Sequence, residues 1–335
     1  MSRSSVLIIV TVHRPNLNYL NAQLVSIAQQ TSADFKCVVA SDGKLDESSH
    51  RYFNELNLDD RFRLLEFDDH VGLYRHIERL LREEMWGFKY LALSDQDDVW
   101  DAGRLTTQIT ILDNGCASMV TSNARLIDGV GNDMCSTTLF AALRISNRAL
   151  RYGMIANQAS GSGSLYRIAD LDGALPFPPK LGVEFHDHWL FLIALLNGGC
   201  HLDFKCSWGY RQHQNNVVGV VSGSTFRKSL LVMIRKLSDI IRHWSDPKSD
   251  THTLQLVANI QTILQRVVAE PNNQFLAQLK MTRWRAISLL SPSAAYFSRL
   301  ESIRLWAHLT FVRNSVSQVM TPNQADVDLS KRKRQ

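Results

Sequence analysis

The chain has 335 residues, 45% hydrophobic and 21% charged, with a net charge of +5, which describes a folded protein of one or two domains and excludes a disordered or fibrous chain. The charge is uneven: residues 1–226 hold 20 Lys and Arg against 25 Asp and Glu, whereas residues 227–335 hold 17 against 7. Five cysteines with no CxxC spacing and no signal-peptide pattern read as reduced thiols of a cytoplasmic protein, and apolar runs such as 189–196 fall short of the roughly 18 residues that cross a bilayer.

Val6-Leu7-Ile8-Ile9-Val10 is apolar without alternation, as in a strand buried on both faces of a parallel sheet. A polar turn, Thr11-Val12-His13-Arg14-Pro15, follows it. Leu20, Leu24, Ile27 and Ala28 then recur at helical spacing over 19–30, and a second strand over 37–40 runs into Ser41-Asp42-Gly43. Both polar turns fall at strand carboxyl ends, where open α/β sheets bind ligands. Neither GxGxxG nor GxxxxGK[ST] occurs, so the dinucleotide fingerprint is absent and a P-loop NTPase is disfavoured.

The pattern predicts a third strand over 64–67, a turn at Asp68-Asp69-His70-Val71-Gly72, and a helix through Arg82 with Ile77, Leu80 and Leu81 as its apolar stripe. A fourth strand over 89–93 leads into Ser94-Asp95-Gln96-Asp97-Asp98-Val99-Trp100. A fifth, over 119–122, precedes a hairpin around 128–132. In 158–166, Gly161 and Gly163 read either as a close backbone approach to a ligand or as a plain turn entering a strand. Glu184 to Trp189 precedes an apolar helix over 190–196, and a strand near 200–204 leads to the polar segment 210–219. Beyond it the spacing turns helical, over 227–244, 254–268, 274–290 and 294–319. The expected organisation is therefore an α/β domain over 1–222, a basic helical domain over 223–325 and a basic tail over 326–335.

Three carboxylates within four residues resist ionising together unless a cation or hydrogen-bond donors offset them. Residues two apart in an extended segment point the same way, so Asp95 and Asp97 can face one ligand while Asp98 turns to the other side. Such hard oxygen ligands suit Mg²⁺ or Mn²⁺ completed by substrate phosphate oxygens. The competing account is an acidic loop that only caps the next helix.

In this order, VLIIVTVHRPN, ASDGKLD, HVGLYRHIERLL and YLALSDQDDVWDAGRL resemble the family 2 glycosyltransferases, whose nucleotide-sugar-binding fold is called GT-A. GSGSLYR, FHDHWLFLIALLNGG and YRQHQNNVVG are similar to the branch that includes rhamnosyltransferases of bacterial surface-polysaccharide synthesis. The resemblance spans residues 5–220. It implies an α/β fold, a GT-A-like Rossmann-type mixed sheet flanked by helices, with the C-terminal α-helical domain appended. It also implies metal-dependent, inverting transfer of a single sugar, with Mg²⁺ or Mn²⁺ as cofactor, from a dTDP- or UDP-linked nucleoside-diphosphate sugar to a glycan or lipid-linked acceptor.

By the same resemblance Asp42 reaches the edge of the base with Thr11, His13 and Arg14 nearby, and Asp95 binds the ribose. Gly72, Arg75 and Gln96 complete the nucleotide-sugar site, Asp97 ligates the metal, and Asp187 is the catalytic base. His213 is assigned to the metal or the diphosphate. Asp98, Trp100, Gly161, Ser162, His186, His188, Trp189 and Arg211 are assigned to the acceptor or to the support of these groups. The sequence departs from the family at His70, where Asn is usual, at the Arg75-His76 pair, usually Arg-Asn, and at His186, where an acid is common. The QxxRW signature of processive synthases is missing, which favours single-sugar transfer.

No recognised nucleic-acid-binding motif accompanies the basic part, so nucleic acid is not an expected partner. Its charge suits either a helical cap with solvated Arg and Lys or peripheral contact with the cytoplasmic face of the inner membrane. Two rival readings are a nucleotidyltransferase and a non-catalytic nucleotide-sugar or glycan-binding module. The first would carry a glycine-rich loop after the first strand, which TVHRPN lacks, and intact Asp95, Asp97 and Asp187 count against the second.

Overall fold

The computed structural model describes residues 5–31, 34–56, 59–143, 145, 157–179 and 186–213. The expected helical domain over 223–325, its boundary near 222, the basic tail and the segment 214–220 lie outside the described residues.

β1 (Val6–Val12) is buried along its whole length except at half-buried Thr11, as its unalternating apolar run requires of a central parallel strand. It pairs in parallel with β2 (Phe35–Ser41), Val6 opposite Phe35 through Val12 opposite Ser41. On its other side lies β4 (Tyr90–Ser94), Val6 opposite Tyr90 through Val10 opposite Ser94. β3 (Phe62–Glu66) extends the parallel half beyond β2. Helices α1 (Leu17–Ala28), α2 (Glu47–Glu55) and α3 (Leu73–Glu84) make the three crossovers. Because the register is parallel, the chain leaves β1, β2 and β4 at one edge. That edge carries the turns after Val12, Ser41 and Ser94.

Past β4 the sheet becomes mixed. β8 (Ser164–Arg167) runs antiparallel to both β4 and β6 (Met119–Ile127). β9 (Cys200–Arg211) follows parallel to β6, and the two-residue β5 (Val99–Trp100) closes the far edge on β9. The order is β3-β2-β1-β4-β8-β6-β9-β5, with β7 (Asp133–Thr138) hairpinned on β6 as expected. α4 (Arg104–Asn114), α5 (Leu139–Leu143) and α6 (His186–Asn197) complete the described elements. The core joins Leu20, Leu24 and Ile27 of α1 and Leu105 and Leu112 of α4 to the interior of β1, β2, β4, β6, β8 and β9. The expected α/β class, a Rossmann-type mixed sheet flanked by helices, is what is observed.

Several elements add to or differ from the sequence expectation, β5 and α5 among them. α2 is almost wholly polar and buries only Ser49, so no apolar stripe announces it; its start is set by Asp46, whose side chain accepts the Ser49 N–H at 2.7 Å. α4 is the helix that the capping account of the acidic loop supposed, and it was placed by that loop and not by an apolar stripe of its own. β9 continues seven residues past the expected end at Phe204, because register shifts opposite Ser122 and Asn123 let it resume pairing with β6 through Arg211. That extension brings Arg211 and His213 to the edge where β4 ends.

Candidate active site

β4 delivers Ser94 buried, and the three acids then divide as the two-residue period requires. Asp95 and Asp97 are half-buried, whereas Asp98 is 0% exposed and turned inward. Ser162 grips Asp95 twice, donating to its Oδ2 at 2.7 Å and accepting its backbone N–H at 3.0 Å. Burial, and then the neighbouring Asp97 charge, push the Asp95 carboxyl above its ordinary range. Asp98 is pushed well above, by burial first and then by Asp95 and Asp97; its Oδ1 accepts the Arg211 N–H at 3.2 Å. Beneath lies the buried cation Arg104, its guanidinium 3.8 Å over the Trp100 ring and acted on by Asp98 and Asp101; burial lowers it to about 9. Clustered carboxylates are thus offset from within by a cation on the helix that follows them.

Asp97 is gripped from β9. Its carboxylate Oδ2 lies 2.7 Å from His213 Nε2, and its carbonyl accepts the Arg211 Nε–H at 2.7 Å. Arg211, 3% exposed, also donates from Nη1 to the carbonyls of Asp128 and Gly129 at 2.9 and 3.0 Å. One buried guanidinium therefore ties the acidic loop to the β6–β7 turn, using the planar fork that only Arg supplies. Of the two roles expected of Arg211, contact with the acceptor or support of the neighbouring groups, this inward direction favours support.

The loops after β1, β2 and β3 form the other wall. Gln96 clamps His13, accepting its N–H at 2.9 Å and donating to its carbonyl at 3.1 Å. Arg14 is exposed and takes a left-handed φ of 43° where the chain turns toward Asn16, an uncommon backbone state for a residue with a side chain. Asp42 is 4% exposed, and its Oδ1 and Oδ2 accept the N–H groups of Val71 and Gly72, each at 2.9 Å. Its carboxylate is thus committed to shaping the turn. Gly72, at φ 81°, is the N-cap of α3. What the turn presents outward is a stacked pair of imidazoles, His13 on His70, with centroids 4.3 Å apart. His70 stands where the family has Asn, the one sequence signal that could have drawn attention to this pair. Arg75 binds Glu78 and the Pro178 carbonyl rather than facing these loops with both ends of its fork.

α6 begins beside the acidic loop. A Cβ on Gly161 would stand 3.0 Å from His186 Nε2 and 3.3 Å from Asp187 Cβ, so the glycine permits a close approach by the start of α6. Asp187 Oδ1 accepts the His188 N–H at 2.8 Å, and the charges of both His186 and Asp187 act on Asp95. Trp100 and Trp189 are 3% and 0% exposed, so neither ring face can meet an acceptor sugar and both serve as packing. Trp189 Nε1–H donates to the Ala174 carbonyl at 2.8 Å. Gly161→Ala is expected to displace the start of α6 and lower turnover about tenfold or more with little change in melting temperature. Unchanged turnover in a steady-state assay would show that this contact does not position Asp187.

Residues 6–171 match a family model described as Glycosyl transferase family 2. This segment is similar to the family 2 glycosyltransferases. The glycosyltransferase match takes in the loops after β1, β2 and β4 and ends before α6 and β9, so Asp187 and His213 lie beyond it. Among solved structures, the chain is similar to S. aureus TarS residues 1–349 in complex with UDP-GlcNAc, at 16% identity and a TM-score of 0.47, covering 79% of this chain and 83% of that one. It is also similar to the mannosyltransferase PcManGT from Pyrobaculum calidifontis in complex with GDP-Man and Mn²⁺, at 15% identity and a TM-score of 0.47, covering 92% and 86%. No curated protein matches the sequence significantly.

Among the described residues no three His, Cys, Asp or Glu side chains converge as a metal cage. The acidic loop instead offers Asp97, with His213 adjacent to it. A hard divalent ion commonly takes only one or two protein ligands, with phosphate oxygens and water completing its shell, and this pair fits that pattern.

Proposed function

We propose that the protein is a metal-dependent, inverting glycosyltransferase that moves one sugar from a nucleoside-diphosphate sugar to a glycan or lipid-linked glycan acceptor. The observation that carries the reading is the meeting of the β4 acids with the start of α6: Asp95, held by Ser162, feels the charge of Asp187, which Gly161 allows to approach.

In this reading the loop shaped by Asp42, with Thr11, His13 and Arg14, receives the base of a uridine or thymidine nucleotide, and Asp95 accepts a ribose hydroxyl. Gln96 fixes the β1 loop against the acidic one, and Gly72 and Arg75 shape the turn beside it. Asp97 and His213 would hold Mg²⁺ or Mn²⁺, which supplies Lewis-acid neutralisation of the departing diphosphate. Asp187 takes the proton of the acceptor hydroxyl as that oxygen bonds to the anomeric carbon and the bond to the diphosphate oxygen breaks. One base and one displacement invert the anomeric centre, and no second carboxylate nucleophile is needed. His186 and His188 flank the base as supports.

The motif order of the later segments supports rhamnose as the sugar and bacterial O-antigen, capsule or exopolysaccharide synthesis as the setting. No helix among the described residues is long and apolar enough to cross a membrane. The excess of Lys and Arg over 227–335 supports peripheral contact with the cytoplasmic face of the inner membrane, where lipid-diphosphate-linked acceptors reside.

A thermal-shift panel of UDP, dTDP, GDP and their sugars, with and without Mn²⁺, tests the donor half. A ligand at a hundred times its Kd stabilises the native state by about 2.7 kcal/mol, a rise of several degrees in Tm. The expected result is a Mn²⁺-dependent shift for UDP- or dTDP-linked ligands that Asp97→Asn removes. No shift with any nucleotide would overturn the reading, and a shift without nucleoside-diphosphate release in the presence of acceptors would favour a binding module.

A further inference from the structure

Two groups grip Asp97, the imidazole of His213 and the guanidinium of Arg211, and a third residue touches both. The Tyr19 ring lies 5.6 Å from the His213 ring at a 30° tilt, and the Arg211 Cζ stands 4.7 Å over the same Tyr19 ring. Tyr19 itself is anchored from two directions. Its backbone N–H donates to the N-cap Asn16 Oδ1 at 3.3 Å, which fixes the first turn of α1. Its hydroxyl lies against Gly129, where a Cβ would come within 2.9 Å of it. The ring is therefore set between α1 and the β6–β7 turn, at the end of β9.

From this arrangement we infer that Tyr19 is a positioning residue that aims His213 at Asp97 and so tunes the affinity of that pair for a divalent cation. The inference rests on the reading that Asp97 and His213 hold such an ion. An imidazole on a short stretch after a strand end is free to rotate about two side-chain bonds unless packing restricts it. Ring-on-ring contact on one side and the bond to Asp97 on the other leave a single useful orientation. Arg211 also reaches over the Tyr19 ring, and the attraction of a guanidinium for an aromatic face holds both in register. The tyrosine touches neither the substrate nor the ion in this account and acts only through His213 and Arg211.

The test is Mn²⁺ titrated into the full chain in the presence of UDP or dTDP, with free Mn²⁺ followed by electron paramagnetic resonance. Partners standing behind a metal ligand commonly set its affinity by about 10–100-fold. Tyr19→Leu is therefore expected to weaken Mn²⁺ binding about tenfold or more, and Tyr19→Phe, which keeps the ring, to stay within about twofold of the parent. Gly129→Ala, which presses on the hydroxyl without removing the ring, should weaken binding by a smaller factor and keeps the inference open to test if Tyr19→Leu does not fold. Melting curves of each variant separate lost fold from lost affinity. Wild-type Mn²⁺ affinity in folded Tyr19→Leu, or an equal loss in Tyr19→Phe, would overturn the role of the ring. A wild-type chain that binds nucleotide but no Mn²⁺ would overturn the metal reading, and with it the inference, while leaving the nucleotide site standing.

Discussion

Replacing Asp187 by Asn is expected to lower turnover about 10³-fold while nucleotide binding survives, because a positioned general base contributes about 10²–10⁴ in rate. The amide is close in shape to the carboxylate and keeps an oxygen that can accept the His188 N–H, now bonded at 2.8 Å. It cannot take up the acceptor's proton. In the proposed function the donor contacts come from other elements, the loops after β1, β2 and β4, so the loss should appear in kcat and not in the Kd for the nucleoside diphosphate, the pattern of a group that works only in the transition state. Single-turnover transfer measured beside nucleotide titration makes the distinction. Near-full turnover in Asp187→Asn would move the base elsewhere, and His186, whose Nε2 lies against Gly161, would be the next group to replace.

Arg211→Met should cost about 3 kcal/mol of stability and disorder the acidic loop with it. The side chain is buried and donates to three carbonyls, those of Asp97, Asp128 and Asp128's neighbour Gly129. Methionine fills similar space but removes these donors; the Asp128 carbonyl keeps the Gly131 N–H at 3.1 Å and Gly129 is exposed, so the loss falls chiefly on the half-buried Asp97 carbonyl, and an abandoned acceptor costs about 1–3 kcal/mol before relaxation. Lysine retains charge without the planar fork and should recover only part of the loss. Urea unfolding followed by tryptophan fluorescence reads the effect directly, with Trp208 of β9 and Trp100 of β5 both in the core. A loss below about 1 kcal/mol would mean that β9 and the β6–β7 turn hold the loop without the guanidinium.

These two residues also divide what was legible in the sequence from what was not. Asp187 was assigned by motif resemblance, and the structure adds only its neighbours. Arg211 belongs to an equally visible motif, yet its sequence context left contact with the acceptor and support of the site both open, and the fold points it inward. The difference is one of range. Apolar runs and their periods are local, so β1, β2, β4, α1 and α3 were readable, and with them the sheet edge where the acids emerge. The two-residue period of an extended chain also separated Asp98 from Asp95 and Asp97 before any coordinates.

Burial and partnership are not local. Trp100 and Trp189 could have faced a sugar or a core, and only the packing of distant strands decides for the core. The commitment of Asp42 to Val71 and Gly72, the approach of Gly161 to His186, and the seat of Tyr19 under His213 each join segments far apart in the chain. β9 reaches Arg211 because a register shift against β6 restores pairing that no local pattern announces. The sequence by itself determined which groups are offered at the edge of the sheet: three acids, a further carboxylate downstream and the family they resemble. The tertiary structure decided which of those side chains face outward, because direction depends on register between strands, and register is set by the whole sheet and not by any one segment.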